Sequence, residues 1–560
     1  MIVNSIYKRK GNMKDLENRR GLFITNNVSK LYDKVKMERN KEKLNRGISK
    51  HQCGGMTGKS TVDHTMTLNA VIDYNRYIGS ETFIVFADAY KCFDKLNLKD
   101  CICDISEIIG AEDAFELYNM NKVGKATIKT PIGLVENVEA NNIVRQGTIP
   151  GPKLCNVNTD KINTIGRKCY TYIGPRVRIE TLTYVDDIQN GSSNTNEVKK
   201  VVRNLCLFES CKGYTFSTEK KKSAIMIVGK KKKKEYNIDV SVKNGKIPMA
   251  NEYKYVGRWY DEKGDNSLAI KKKKENVGLF VQKIKEYGNE HKIGKYAMKA
   301  RIRIYQGVVV PTMYHLVETW SNITKSDWEE LESMQKRVVT GMCEMRRSTP
   351  YIGLLTELGI WPAEQLIEYK QVRLLHNILT SRDDRLLKEI VEDQIAYPWE
   401  GNWYEGVKTT CQKYDLEIDE IRTWSKNKCK RIMKKKVKEV IQKKVDTAKK
   451  EMTKMRFIKS CEIESYIDKV NYDDCVTLLK TRLNMIETKC NYKGKFLNDL
   501  KCPLCKLELD TTEHLTECQG LMEEKSVSNI SNPNDKLAKS IKKAIKIRED
   551  NGFKITFGDE

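Results

Sequence analysis

Residues 181–190 read TLTYVDDIQN, and the adjacent Asp186 and Asp187 constrain the fold more than any other feature of the chain. Thr181, Leu182, Tyr184, Val185 and Ile188 favour strand, and Asn190-Gly191 reads as a turn. Neighbouring carboxylates repel, and burying them uncompensated costs several kcal/mol. Either they decorate a solvated hairpin tip, where Asp is common, or the fold places a cation between them.

A third acid lies upstream in ETFIVFADAYKCFDKL, residues 81–96. Phe83 to Phe86 predict a buried strand that delivers Asp88 at its end, with Phe93 and Asp94 five and six residues on. A strand ending in a carboxylate, beside a hairpin bearing two more, presents three acids to one point. Mg²⁺ takes oxygen ligands and keeps several waters, so one or two carboxylates per ion complete a site with substrate phosphates. Two such ions activate a 3′-hydroxyl and stabilise a leaving pyrophosphate during in-line displacement. Metal between Asp88, Asp186 and Asp187 would account for the adjacent pair. Between the two clusters, NNIVRQGTIPGPKLCN (141–156) carries Gly147, Pro150, Gly151 and Pro152. They predict a stiff loop before a helix, able to bring backbone amides and the Gln146 side chain to a nucleotide.

Charge supports a polyanionic partner. Lys and Arg number 101 against 75 acids in 560 residues, a net +26, and neutralising phosphates releases counterions. Twelve Lys/Arg and two acids fall between 426 and 450, over Met433, Val437, Ile441, Val445, Ala448, Met452 and Met455 at helical spacing. One face packs and the other is strongly basic. GKKKKKEYN, from Gly229, reads as a solvated basic loop. KSDWEELESMQKRVV predicts a helix opened by a capping box, Ser326 with Glu329, that lays Trp328, Leu331, Met334 or Gln335, and Val338 on one face. The tail after 525 is polar and expected to be loosely ordered, apart from one short helix with Leu537, Ile541 and Ile545 on one side. The seventeen cysteines have no disulfide framework, which argues for free thiols in a reducing compartment. The N-terminus MIVNSIYKRKGNMK lacks a secretory apolar core, and no run approaches the roughly 20 apolar residues of a membrane span. An intracellular protein of nucleus and cytoplasm, without membrane contact, is expected.

Near the C-terminus, CPLCKLELDTTEHLTEC gives Cys502, Cys505, His514 and Cys518. Three thiolates and one imidazole suit tetrahedral Zn²⁺ with no open position, hence a structural site.

The order FADAYKCFD, RQGTIPGPKLCN, YVDD, FSTEKKKSAIMIVG and YKYVGRWYDEKGD resembles motifs A to E of a reverse transcriptase, more narrowly that of non-LTR (LINE-type) retrotransposons. GLFITNNVSKLYDKV and QCGGMTGKSTVDHTM resemble the finger motifs upstream, and VVPTMYHLVETW with TPYIGLLTELGIWP the thumb. The cysteine cluster, with MIETKCNYKGKF before it, resembles the CCHC knuckle that follows the thumb. The resemblance implies an α+β right-hand polymerase fold: an N-terminal remnant (1–19), fingers and palm (20–265), a helical thumb (266–400), a basic helical linker (401–489), the zinc knuckle (490–525) and a polar tail (526–560). It implies an RNA-directed DNA polymerase, a nucleotidyltransferase extending a DNA primer or target 3′-end on an RNA template with dNTPs and two Mg²⁺ ions. Asp88, Asp186 and Asp187 would be the catalytic metal ligands. Phe93 would be the steric gate against a ribose 2′-hydroxyl, Gln146 and Gly147 would line the nucleotide site, and Lys222 would lie near the leaving phosphate. Lys59 would be the finger cation nearest the triphosphate.

Three positions depart from the family pattern: Met56 in place of a basic residue, Glu219 in place of asparagine, and Gly151 where serine is common. A decayed or co-opted copy that only binds nucleic acid is the first rival reading, and a group II intron-type maturase the second. With about 20 residues before the finger motifs and 42 after Cys518, no nuclease is expected in this chain.

Overall fold

A computed structural model of the chain describes residues 1–9, 11–122, 124–130, 133–229, 236, 238–290, 297–459, 462–496, 499–521 and 530–555. The lysine run of the expected basic loop, 230–234, lies outside the described residues. The chain divides into two units. One comprises 1–268, 319–322 and 377–406; the other comprises 269–318, 323–376 and 407–560. The segment expected to form the thumb therefore contributes to both.

The first unit mixes sheet and helix. β1 (Ile2–Tyr7) and β2 (Arg19–Ile24) are an antiparallel pair, and β3 (Thr82–Asp88) follows the helix Thr61–Tyr77. β4 (Lys125–Thr130) and β5 (Gly133–Glu139) form a hairpin that joins the first pair in the order β2-β1-β4-β5, with β1 parallel to β4. β6 (Thr171–Ile173) and β7 (Val177–Ile179) form a separate hairpin, and β8 (Leu182–Tyr184) and β9 (Asp187–Ser192) another. β10 (Ala224–Val228) completes an antiparallel sheet in the order β10-β3-β9-β8. Two short hairpins follow: β11 (Ser241–Val242) with β12 (Gly245–Lys246), and β13 (Glu252–Tyr255) with β14 (Arg258–Asp261).

β3 and β10 read as unbroken apolar runs because the sheet is covered on both faces. Phe83, Val85, Ile225 and Ile227 pack on one side with Leu98, Cys101 and Ile105, and with Val198, Val202 and Leu205. Ile84, Phe86, Met226 and Val228 pack on the other with Leu68, Ile72, Tyr253 and Tyr255.

The turn near the aspartates is not where the sequence suggested. Asn190 and Gly191 continue β9, opposite Val85 and Ile84 of β3. A side chain at 191 would meet Val71 of the covering helix 3.2 Å away, so the glycine serves sheet–helix packing. The turn is Val185–Asp186, between the paired Tyr184 and Asp187.

The second unit is helical. In the helix Lys426–Glu451, Met433, Val437, Ile441, Val445 and Ala448 are buried as the spacing predicts, and Cys429 joins them; Met452 lies beyond its end and is exposed. The helix Lys325–Met342 buries Leu331, Met334, Gln335 and Val338, but its capping box is Thr324 with Asp327, two residues before the expected pair. Thr324 is extended and its hydroxyl accepts from Asp327 N at 3.1 Å, while the Asp327 carboxylate accepts from Thr324 N at 3.0 Å. Ser326 then lies inside the first turn. The tail is better ordered than expected where it is described: the helix Asp535–Asp550 buries Leu537, Ala538, Ile541 and Ala544. Among the described residues no helix is long and apolar enough to cross a membrane, and the cysteines are free.

Candidate active site

β3 ends at Asp88, directly opposite Asp187, the first residue of β9. Asp186 occupies the two-residue turn beside them. Such turns favour Gly or Asn, yet Val185 holds φ +61°. A β-branched residue there stores roughly 1–3 kcal/mol of backbone strain. The neighbouring segment holds it: Gln52 Oε1 accepts from Val185 N at 3.2 Å and from Gly54 N at 3.0 Å. Backbone bonds join Cys53 N to Thr183 O and Thr183 N to His51 O, both at 3.1 Å. A Cβ on Gly54 would stand 2.5 Å from Val185 N, so only glycine permits this approach.

Burial, followed by the charges of Asp186 and Asp88, pushes the Asp187 carboxyl up to about 7. Burial and the Asp88 charge raise Asp186 as well, against the pull of its own backbone amide, Lys222 and Arg20. Lys222 Nζ meets Asp88 Oδ2 at 2.9 Å. Burial works against its charge, but the bond to Asp88 and the other two carboxylates hold its pKa above the ordinary value. Three acids thus face one close lysine, a deficit of positive charge that a divalent ion matches. Their oxygens do not close on one another as tightly as the thiolates described below, Asp88 being turned to Lys222.

The other expected site residues lie in the same unit as this hairpin. Phe93 is half-buried in the short helix Cys92–Lys95 and packs on the core beneath β3. Gln146 O accepts from Phe23 N of β2 at 2.9 Å, and Gly147 adopts φ +98° with Phe23 O 3.2 Å from where a Cβ would be. At Gly151 a Cβ would lie 2.8 Å from Arg145 O, so this loop is drawn tighter than serine allows. Lys59 Nζ bonds the carbonyls of Gln52, Lys50 and Ser49 at 3.0, 3.2 and 3.3 Å, bracing its own loop. It lines a cavity of about 550 Å³ with Arg46, Lys50, Arg382 and Arg385.

Residues 8–259 match the family model described as reverse transcriptase (RNA-dependent DNA polymerase). They form a reverse transcriptase domain. The family is one of RNA-directed DNA polymerases, which are nucleotidyltransferases, and its α+β fold is the one expected. No curated protein matches the chain. Among solved structures, apo telomerase from Candida tropicalis is similar at 12% identity and TM-score 0.32, over 68% of this chain and 57% of that one. A version of it truncated from the C-terminal domain is similar at 13% and 0.29, over 42% and 43%. Telomerase from Candida albicans, in complex with a TWJ fragment of telomeric RNA, is similar at 10% and 0.27, over 68% and 56%. The chain spans roughly half the length of these structures. Likenesses at this level carry nothing about substrate or partner.

Within the reverse transcriptase domain, sequence reasoning missed Gln52, Gly54 and Lys153. The first two had a signal, a glutamine ahead of a Gly-Gly pair in a finger motif. Lys153 had none. It follows Pro152 in the helix Gly151–Asp160 and reaches back to Gly55 O (2.9 Å) and Met56 Sδ (3.1 Å). Burial, then the charge of Lys59, lowers its pKa to about 8.

In the second unit, Cys502, Cys505, His514 and Cys518 place one ligand atom each within 4.8 Å of all the others. Cys502 and Cys518 Sγ are 3.6 Å apart, and Cys505 Sγ is 3.3 Å from His514 Nε2. Tetrahedral Zn²⁺ with its usual bond lengths needs about 3.8 Å and 3.6 Å for such pairs. His514 Nδ1 meets Glu508 Oε2 at 2.9 Å, the outer partner that fixes a ligating imidazole. Backbone amides of Glu508 and Leu507, with His514 and Cys502, bring the Cys505 thiol down to about 6 against burial, favouring the thiolate a metal needs. The donor set fits zinc.

Proposed function

We propose that the chain is the RNA-directed DNA polymerase of a non-LTR retrotransposon, extending a DNA 3′-end on an RNA template. The observation that carries this reading is the β3–β9 register, which sets Asp88 against Asp187 with Asp186 in the adjoining turn, inside a reverse transcriptase domain. Asp88, Asp186 and Asp187 would hold Mg²⁺, which supplies activation of the primer hydroxyl and neutralisation of the leaving pyrophosphate. Lys222, bonded to Asp88, stands ready to turn to a departing phosphate. Phe93 excludes a 2′-hydroxyl by bulk, and Gln146 and Gly147 border the nucleotide. Met56, the departure that pointed to decay, is buried, and Lys153 brings an ammonium to its sulphur. That cation, together with Lys59, serves the triphosphate. Zinc on Cys502, Cys505, His514 and Cys518 is structural.

Primer extension on an RNA template with Mg²⁺ tests the reading. Wild type synthesises DNA, while Asp186→Asn with Asp187→Asn yields no product and binds RNA as before, because affinity comes from lysines and arginines elsewhere. Synthesis by the double variant sinks the assignment.

A further inference from the structure

The β6–β7 hairpin carries a surface that the polymerisation site does not use. Thr171, Ile173, Val177 and Ile179 point inward and are buried, so Tyr172 and Arg178, paired across the hairpin, share the outer face. Tyr170 joins them: its ring meets Tyr172 edge-on at 5.5 Å, and the Arg178 guanidinium lies 5.3 Å from the Tyr170 centroid. The two rings remain 41% and 47% exposed. At the hairpin's other end Arg176 lies 4.5 Å from the centroid of Tyr397, itself 38% exposed. Arg167 and Lys168, just before β6, are exposed and make no ion pair among the described residues. One exposed tyrosine needs no explanation. Three exposed rings interleaved with four cations do, the adjoining acids being Glu180, ion-paired to Arg178, and the buried Asp393, whose charge is felt by Arg176.

We infer that the outer face of this hairpin binds single-stranded nucleic acid, stacking unpaired bases on Tyr170 and Tyr172 while Arg167, Lys168, Arg176 and Arg178 meet the phosphates. This rests on reading the chain as an RNA-templated polymerase, which must handle template not yet copied. Stacking tolerates any base because each has a π-face, and flanking cations follow the backbone. A duplex hides its base faces and gains only the charge. The link from the hairpin to β8 is braced from two sides: Glu180 N donates to His51 Nε2 at 3.2 Å, and Asn163 exchanges bonds of 3.0 and 3.1 Å with Thr181. Eight residues separate Arg178 from Asp186, so a strand on this face lies within about 26 Å of the carboxylates, at about 3.3 Å per residue.

Fluorescence anisotropy with the full chain, without Mg²⁺ or dNTPs, tests this apart from catalysis. The probes are a U20 RNA, a dT20 DNA and a 20-base-pair RNA–DNA hybrid. Tyr170→Ala with Tyr172→Ala weakens binding of single strands about tenfold or more and leaves the hybrid within about twofold. Loss on U20 alone identifies uncopied template as the ligand; loss on dT20 alone identifies displaced DNA. Tyr170→Phe with Tyr172→Phe keeps the rings and retains affinity, which separates stacking from misfolding. Arg167→Gln with Lys168→Gln reduces the slope of log K against log salt by about 1.4, at 0.7 per phosphate contact on single strands. Unchanged single-strand affinity in the alanine pair, or an equal loss on the hybrid, overturns the proposal. Neither result bears on whether the chain synthesises DNA.

Discussion

Single side chains set the chemistry of this domain, and Lys153 shows how one departure is answered by another. If its ammonium replaces the cation missing at Met56, Lys153→Met raises the dNTP KM roughly tenfold with little change in kcat, the signature of lost uniform binding. Adding Met56→Arg to that variant restores KM; failure of the second change to restore it makes Lys153 a loop brace. With a pKa near 8, Lys153 loses its charge as pH rises, so wild-type KM climbs above pH 8 and the Lys153→Met value does not. Histidines give a second residue-scale prediction, for stability. Burial brings both His51 and His64 down to about 3 from the usual 6.5. The folded chain keeps them neutral while the unfolded chain protonates them, so their contribution is complete above pH 6.5 and declines as pH falls towards 3. At pH 5 each accounts for about 2 kcal/mol of lost stability. His64→Asn therefore flattens the fall of Tm between pH 6.5 and 4, and an unchanged slope refutes the assignment.

At the scale of elements, the strained Val185–Asp186 turn exists because the segment 51–54 holds it. Gly54→Ala forces a Cβ against Val185 N, and overpacking of this kind costs about 1–3 kcal/mol. Displacement of the turn moves Asp186 and Asp187, so synthesis falls at least tenfold while the fold survives; full activity would separate the turn from the carboxylates' placement. The strands bearing these acids were legible because alternation and apolar runs are local signals. The Gln52–Val185 bond was not, since 133 residues separate the partners. The turn position was misread for a similar reason: Asn190-Gly191 has turn chemistry, but neighbours distant in sequence use the glycine for close packing. The stretch from Thr324 to Glu329 contains two possible capping boxes, and only the extended backbone at Thr324 selects the first. In the tail the helix was readable and its packing was not.

Across the whole molecule, the cluster of Cys502, Cys505, His514 and Cys518 is not an isolated bead. Asp510, between its ligands, is fully buried and ion-paired to Arg548 of the C-terminal helix, and it also accepts from Lys489 N at 2.7 Å. Thr512 Oγ1 donates to Asn484 Oδ1 at 2.9 Å, joining the centre to the helix Tyr472–Arg482 just before it. Removing zinc should therefore release residues 535–550 along with 490–520. Hydrogen exchange after chelation, or with Cys502→Ser and Cys505→Ser, would show both segments losing protection while β3, β9 and β10 keep theirs. Continued protection of 535–550 would separate the helix from the metal. The Asp510–Arg548 pair also imposes an order on biosynthesis. A ribosome makes Cys502, Cys505, His514 and Cys518 before it makes Arg548, and in the finished fold removing one partner of such a buried pair costs about 3–5 kcal/mol. A nascent chain interrupted between these points would hold its metal loosely and expose its last helical layer to proteases. The final turn of the C-terminal helix thus supplies the countercharge that the buried Asp510 carboxylate has in the finished fold.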